Sequence, residues 1–165
     1  MLTATLWVAA GIITAAFIAR GVKISEFRQA WIDGLREDIS EYTCKAHQWI
    51  DLYLVFNQES DQEKKSGMVD ALDRLKYDAL HIHSRISLRF KPDDNVANDF
   101  LSHLLDLLDP SKTGLDNNAY SNWRDLSNRA VQNARALLKE EWEATKNPLR
   151  KLYRKPNNAL HRTSR

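Results

Sequence analysis

The residues of this chain with the most chemical capacity are its histidines, its one cysteine and their charged neighbours. Cys44, His47 and Asp51 stand at i, i+3 and i+7, so a helix would put all three on one face. Three such side chains can begin a zinc site if another helix supplies a fourth ligand. The alternative is a small apolar filler beside a surface imidazole, and structural zinc prefers two paired ligand sets. No metal or other cofactor is assigned. His81 and His83 are two apart, pointing about 160° away from each other on a helix, and cannot share an ion. Arg74 and His81 are seven apart and do share a face. The glycines are isolated, with no phosphate-cradling loop, and no serine sits in a Gly-x-Ser-x-Gly elbow.

The Arg-x6-His spacing of Arg74 and His81 resembles the motif of HEPN-type ribonucleases, which are all-α and often dimeric. The resemblance implies His81 as general acid and base and Arg74 as the group that steadies the phosphate. It covers those two residues and the fold class. The alternative is an ordinary surface pair, so these two are catalytic candidates only on that reading.

Helices must position all of these residues. Apolar side chains recur in steps of three or four at Ile24, Phe27, Trp31, Leu35, Ile39, Tyr42, Ala46, Trp49, Tyr53 and Phe56. No proline interrupts residues 1–91, so this helix can run on directly from the apolar opening of the chain. The polar run 57–62 is the first plausible turn. Met68, Leu72, Leu75, Ala79, Ile82 and Ile86 then alternate steps of four and three, the seam of a helical hairpin or coiled coil. Pro92 ends that helix, Asp94 or Asn95 can cap a third, and Asp109-Pro110 with Gly114 breaks the chain again. Asn117 or Asn118 starts a fourth helix, closed by Asn147-Pro148. No stretch alternates strictly, so no strand is expected. Trp31, Trp49, Trp123 and Trp142 fall on or beside apolar stripes and read as core.

The opening is different in character. Residues 2–19 hold no charge, and as a helix would reach about 27 Å, near the thickness of a thin bilayer's hydrocarbon. Thr3, Thr5 and Thr14 dilute it, though their hydroxyls can bond back to the helix's own carbonyls. Arg20 and Lys23 follow, and no Lys or Arg precedes, so the positive-inside rule would leave the N-terminus outside and the rest in the cytoplasm. A cleaved signal peptide would want a basic leading segment, which is missing. The expected architecture is therefore all-α: a transmembrane anchor over 1–23, a cytoplasmic four-helix bundle over 24–148 built on a long antiparallel hairpin, and a basic tail over 149–165. That places the protein in the plasma (inner) membrane as a single-pass chain.

The tail carries Arg150, Lys151, Arg154, Lys155, Arg162 and Arg165 and no acid. The whole chain is +2, so the remainder is −4. The tail is either a solvated spacer or a polybasic segment on anionic lipid, where each cation contributes about 1 kcal/mol. Arg20 and Lys23 would meet the same surface. So balanced an overall charge does not favour nucleic acid. One cysteine among 165 residues excludes an intramolecular disulfide framework, and 28% charged residues exclude a polytopic membrane protein.

The order of an apolar opening, "ISEFRQAWIDGLREDISEY", "RISLRFKPDD" and "FLSHLLDLL" resembles small bacterial membrane-anchored helical proteins of unknown function, over residues 1–108. The ending "PNNALHRTSR" resembles the read-through of a recombination site at the end of an integron gene cassette, which would make the tail a product of DNA constraints. Neither implies an activity. The expectation is a non-enzymatic, membrane-anchored interaction or regulatory protein, with a lipid bilayer and another protein or itself as partners. The alternatives are a membrane-tethered HEPN-like ribonuclease in stress or phage defence, and an anionic-lipid surface binder.

Overall fold

The structure, a computed structural model, describes the backbone of residues 2–114 and 118–146, with side chains at Trp7 and from Ala10 to Glu143 within those ranges. It contains five helices: α1 (Leu2–Gln58), α2 (Gln62–Ser87), α3 (Asn95–Asp106), α4 (Pro110–Thr113) and α5 (Ala119–Lys146). There is no strand among the described residues.

Short side chains set the helix boundaries. At the end of α1, Asn57 Nδ2 donates back to the Tyr53 carbonyl at 2.8 Å. The Glu59 carboxylate then accepts the backbone N–H groups of Ser60 and Asp61 at 2.8 and 2.9 Å, which turns the chain within three residues. Asp61 caps α2 by accepting from the N–H of Glu63, and Asp94 caps α3 by accepting from Ala97. Asp109 caps α4, whose first residue is Pro110, a position where the missing N–H costs nothing. Gly114, at φ 75°, ends that turn in a conformation that favours glycine.

The second half of α1 and α2 form an antiparallel hairpin. Leu35, Ile39, Tyr42, Ala46, Trp49 and Ile50 of α1 are buried in one cluster with Leu72, Ala79, Ile82 and Ile86 of α2. The seam read from the sequence is thus consumed inside the chain. Helix α3 adds Ala97, Phe100, Leu101 and Leu104, and α5 adds Trp123, Ala130, Ala134 and Leu137.

Polar atoms fix α3 in place. Its last carbonyls have no complete set of intrahelical partners and lie where water is scarce. Side chains from the three long helices meet them: His83 of α2 donates to the Leu101 carbonyl (3.1 Å), Tyr42 of α1 to Leu104 (2.5 Å) and Trp123 of α5 to Leu107 (3.0 Å). Burial, with the Asp106 carboxylate second, pushes the Tyr42 phenol well above its ordinary range and keeps it a donor.

Three expectations need correction. Residues 2–19 are not a separate membrane-spanning helix; they are the first third of α1, which passes through Arg20 and Lys23 without a break. Among the described residues, no helix is long and apolar enough to cross a membrane. The bundle has five helices rather than four, because Asp109 and Pro110 turn the expected break into a single helical turn. The stripe on α1 enters the core later than its periodicity implies: Ile24 and Phe27 are exposed, and burial begins at Ile32. The tail over 149–165, with Arg150, Lys151, Arg154 and Lys155, lies outside the described residues, as do Asn117 and Asn147-Pro148.

Removing the Tyr42 hydroxyl takes from the Leu104 carbonyl one of its two donors, the other being the Leu107 N–H, in a buried site. Tyr42→Phe is expected to lower unfolding free energy by about 1–3 kcal/mol, measured by urea denaturation. An unchanged midpoint would mean that this bond does not hold α3.

Candidate functional site

Asp38 is the one buried carboxylate among the described residues, 5% exposed on α1. Its two oxygens are taken by two arginines four residues apart, Arg85 in the last turn of α2 and Arg89 just beyond its end. Arg85 Nε reaches Oδ1 at 2.8 Å, and Arg89 reaches Oδ2 through Nε at 2.8 Å and Nη2 at 2.6 Å. Arg85 also binds Glu41, whose hydrogen bond is the main reason its guanidinium titrates above the usual range. Gly34 makes room for this arrangement, since a Cβ there would stand 3.0 Å from Arg89 Nη2. The group is satisfied within itself and reads as a clamp on the hairpin.

The Cys44, His47 and Asp51 register is real, but its side chains are engaged elsewhere. Cys44 Sγ accepts from Gln48 Nε2 at 3.6 Å. His47 stacks on Trp123 at 5.1 Å between ring centres and shares a 2.9 Å hydrogen bond with the Tyr120 hydroxyl. Asp51 stands 3.7 Å from the same imidazole nitrogen. No group of three potential metal ligands comes together among the described residues.

Arg74 and His81 are both exposed on α2, and Asp78 lies between them on the helix. Lys45 of α1 binds Asp78 at 2.9 Å. That hydrogen bond holds the Asp78 carboxyl below the usual carboxylate range, with Arg74 and His81 adding smaller attractions. An anionic side chain thus occupies the ground between the two candidates, where a substrate phosphate would have to come. His83 faces the other way, onto α3. Of the expected membrane-surface cations, Arg20 is exposed and Lys23 pairs with Glu26 one turn on at 2.8 Å.

One concavity among the described residues was not read from the sequence. Between α1 and α5 lies an open groove of about 480 Å³. Ile32, Leu138 and Trp142 supply its apolar surface, and Arg36, Arg135 and Lys139 its charge, with Gln29 at one side. Arg36 is paired with Asp33 at 2.8 Å, both more than half exposed. No carboxylate partner is found for Arg135 or Lys139 among the described residues. The only linear trace of the groove is the i, i+4 spacing of Arg135 and Lys139 beside Leu138 and Trp142, because Arg36 is distant in the chain.

No protein family, curated protein or solved structure matches this chain.

Two outcomes test the electrostatic assignments. Asp38→Ala strands two partly exposed guanidiniums and should cost about 2 kcal/mol, below the range for a fully buried pair, read by urea denaturation. Asp78 and Asp109 both titrate below the ordinary 3.8 when folded. The folded state therefore binds those protons less readily than the unfolded one. Their stabilisation is complete above about pH 4 and is lost as pH falls below it. A series of urea midpoints taken into acid should decline there, and less steeply for Asp78→Asn.

Proposed function

We propose that this is a non-enzymatic helical interaction protein that attaches to a lipid bilayer through the N-terminal arm of α1 and holds its bundle at the cytoplasmic surface. The observation that carries this reading is the arm itself. Every described residue from Ala10 to Phe27 is exposed. Trp7, Ile12, Ile13, Phe17, Ile18, Val22, Ile24 and Phe27 together present large apolar side chains around the helix. A helix apolar on all sides needs an apolar surround. Burying the five that precede Arg20 is worth roughly 10 kcal/mol, ample to hold a small protein on a membrane. Thr14 suits such a place, since its hydroxyl donates to the Ala10 carbonyl at 2.8 Å and leaves no donor unmet. Arg20 and Lys23 then stand where anionic headgroups would be.

The ribonuclease reading has no comparable support. Arg74 and His81 lie on an open helix face with Asp78 between them. Self-association through the α2 seam is also disfavoured, since Leu72, Ala79, Ile82 and Ile86 are spent on the core.

Flotation on phosphatidylcholine vesicles tests the proposal. The full chain should rise with the vesicles, and a variant lacking residues 2–19 should stay at the bottom of the gradient with its helical circular dichroism otherwise retained. A full chain that stays at the bottom, or that forms oligomers through the arm without taking up lipid, would overturn it.

A further inference from the structure

The groove between α1 and α5 is not used by the hairpin clamp, the α3 carbonyls or the arm. Its chemistry is specific nonetheless. Arg36 from one wall and Arg135 and Lys139 from the other stand over a floor of Ile32, Leu138 and Trp142. Arginine offers a planar fork that matches phosphate oxygens, and lysine adds a mobile point charge. An apolar floor beneath three cations selects an anion attached to an apolar body rather than a small hydrated ion.

The basic tail is no charge match for the groove. Residues 149–165 carry six cations and no acid, so the tail and groove repel each other. Position narrows the occupant further. Gln29, at the edge of the groove, is six residues beyond Lys23, about 9 Å along the helix. Ile18 and Val22, 64% and 52% exposed, share the face of α1 that carries Gln29, Ile32 and Arg36, in steps of three and four through Ser25. A ligand whose phosphate sat among Arg36, Arg135 and Lys139 could therefore lay its hydrocarbon along surface that is already apolar.

We propose that this groove binds the phosphate headgroup of an anionic phospholipid, a role that rests on attachment of the arm to a bilayer. The arm supplies affinity for any bilayer; the groove makes the attachment selective for anionic lipid and fixes the rotation of the bundle at the surface. Arg36 exchanges its exposed partner Asp33 for the phosphate, while Arg135 and Lys139 need release no carboxylate found among the described residues.

The test compares flotation of the full chain on phosphatidylcholine vesicles with flotation on vesicles that also contain phosphatidylglycerol. The natural sequence should bind the anionic vesicles more tightly. The double variant Arg135→Ala, Lys139→Ala should lose about 30-fold in affinity for them, at about 1 kcal/mol per cation, with phosphatidylcholine binding unchanged. Both positions are exposed and alanine favours helix, so circular dichroism should be preserved. A control, Arg124→Ala with Arg129→Ala, removes equal charge from α5 outside the groove lining and should retain the selectivity. Equal losses in both variants would mean diffuse attraction and overturn the groove. Glycerol phosphate binding by calorimetry, abolished in the first variant while vesicles show no anionic preference, would assign the groove to a soluble phosphate ester and overturn the lipid. Failure to float on phosphatidylcholine at all would instead strike the attachment reading, so the two failures are distinct.

Discussion

A helix end placed inside a protein carries carbonyls that backbone donors alone satisfy only in part, and the rest of this bundle is arranged around that constraint. The C-terminal end of α3 is such an end. Tyr42, His83 and Trp123 each bring an aromatic ring and a donor to it, one from each long helix. The rings fill volume while their polar edges meet the carbonyls, so packing and hydrogen bonding demand the same positions. Three helices that touch α3 this way have little freedom to slide against one another. Asn133 of α5 reinforces the contact by donating to His103 Nδ1 at 3.1 Å.

The hairpin has its own lock. Apolar seams tolerate slippage by a turn, whereas a buried carboxylate held by two guanidiniums does not. Asp38 opposite Arg85 and Arg89, with Lys45 opposite Asp78 two turns on, sets one antiparallel register. Gly34 belongs to this lock. In the sequence it is a weak point in a long helix; in the structure it is the space occupied by the Arg89 guanidinium.

Length explains the exposed arm. Helix α1 has 57 residues and α2 has 26, about 86 and 39 Å. Nothing in the described chain is long enough to cover the first part of α1, so a stripe that continues with perfect periodicity through Ile24 and Phe27 finds no partner there. Periodicity reports that one face is apolar and is silent on what lies opposite. The same silence caused the misreading of the opening as a membrane-spanning element, since an uncharged run read residue by residue does not reveal where its helix ends. The cap at Asp94 was legible, because it acts on a backbone group three residues away; Asp61 and Asp109 cap in the same way where the sequence marks only a turn and a break.

The sequence by itself determined what depends on neighbours within a turn or two: the helical class, the cap at Asp94, the seam from Leu72 to Ile86 and the apolar, charge-free opening. Only the tertiary structure decided what depends on residues far apart in the chain. It brought Lys45 of α1 onto Asp78, turned His47 to Tyr120 and Trp123 rather than to Cys44, and joined Arg36 to Arg135 and Lys139 across a groove. The reason is physical. Backbone hydrogen bonds and caps are satisfied locally, whereas the surroundings of a charge or a ring are fixed by which helices pack together.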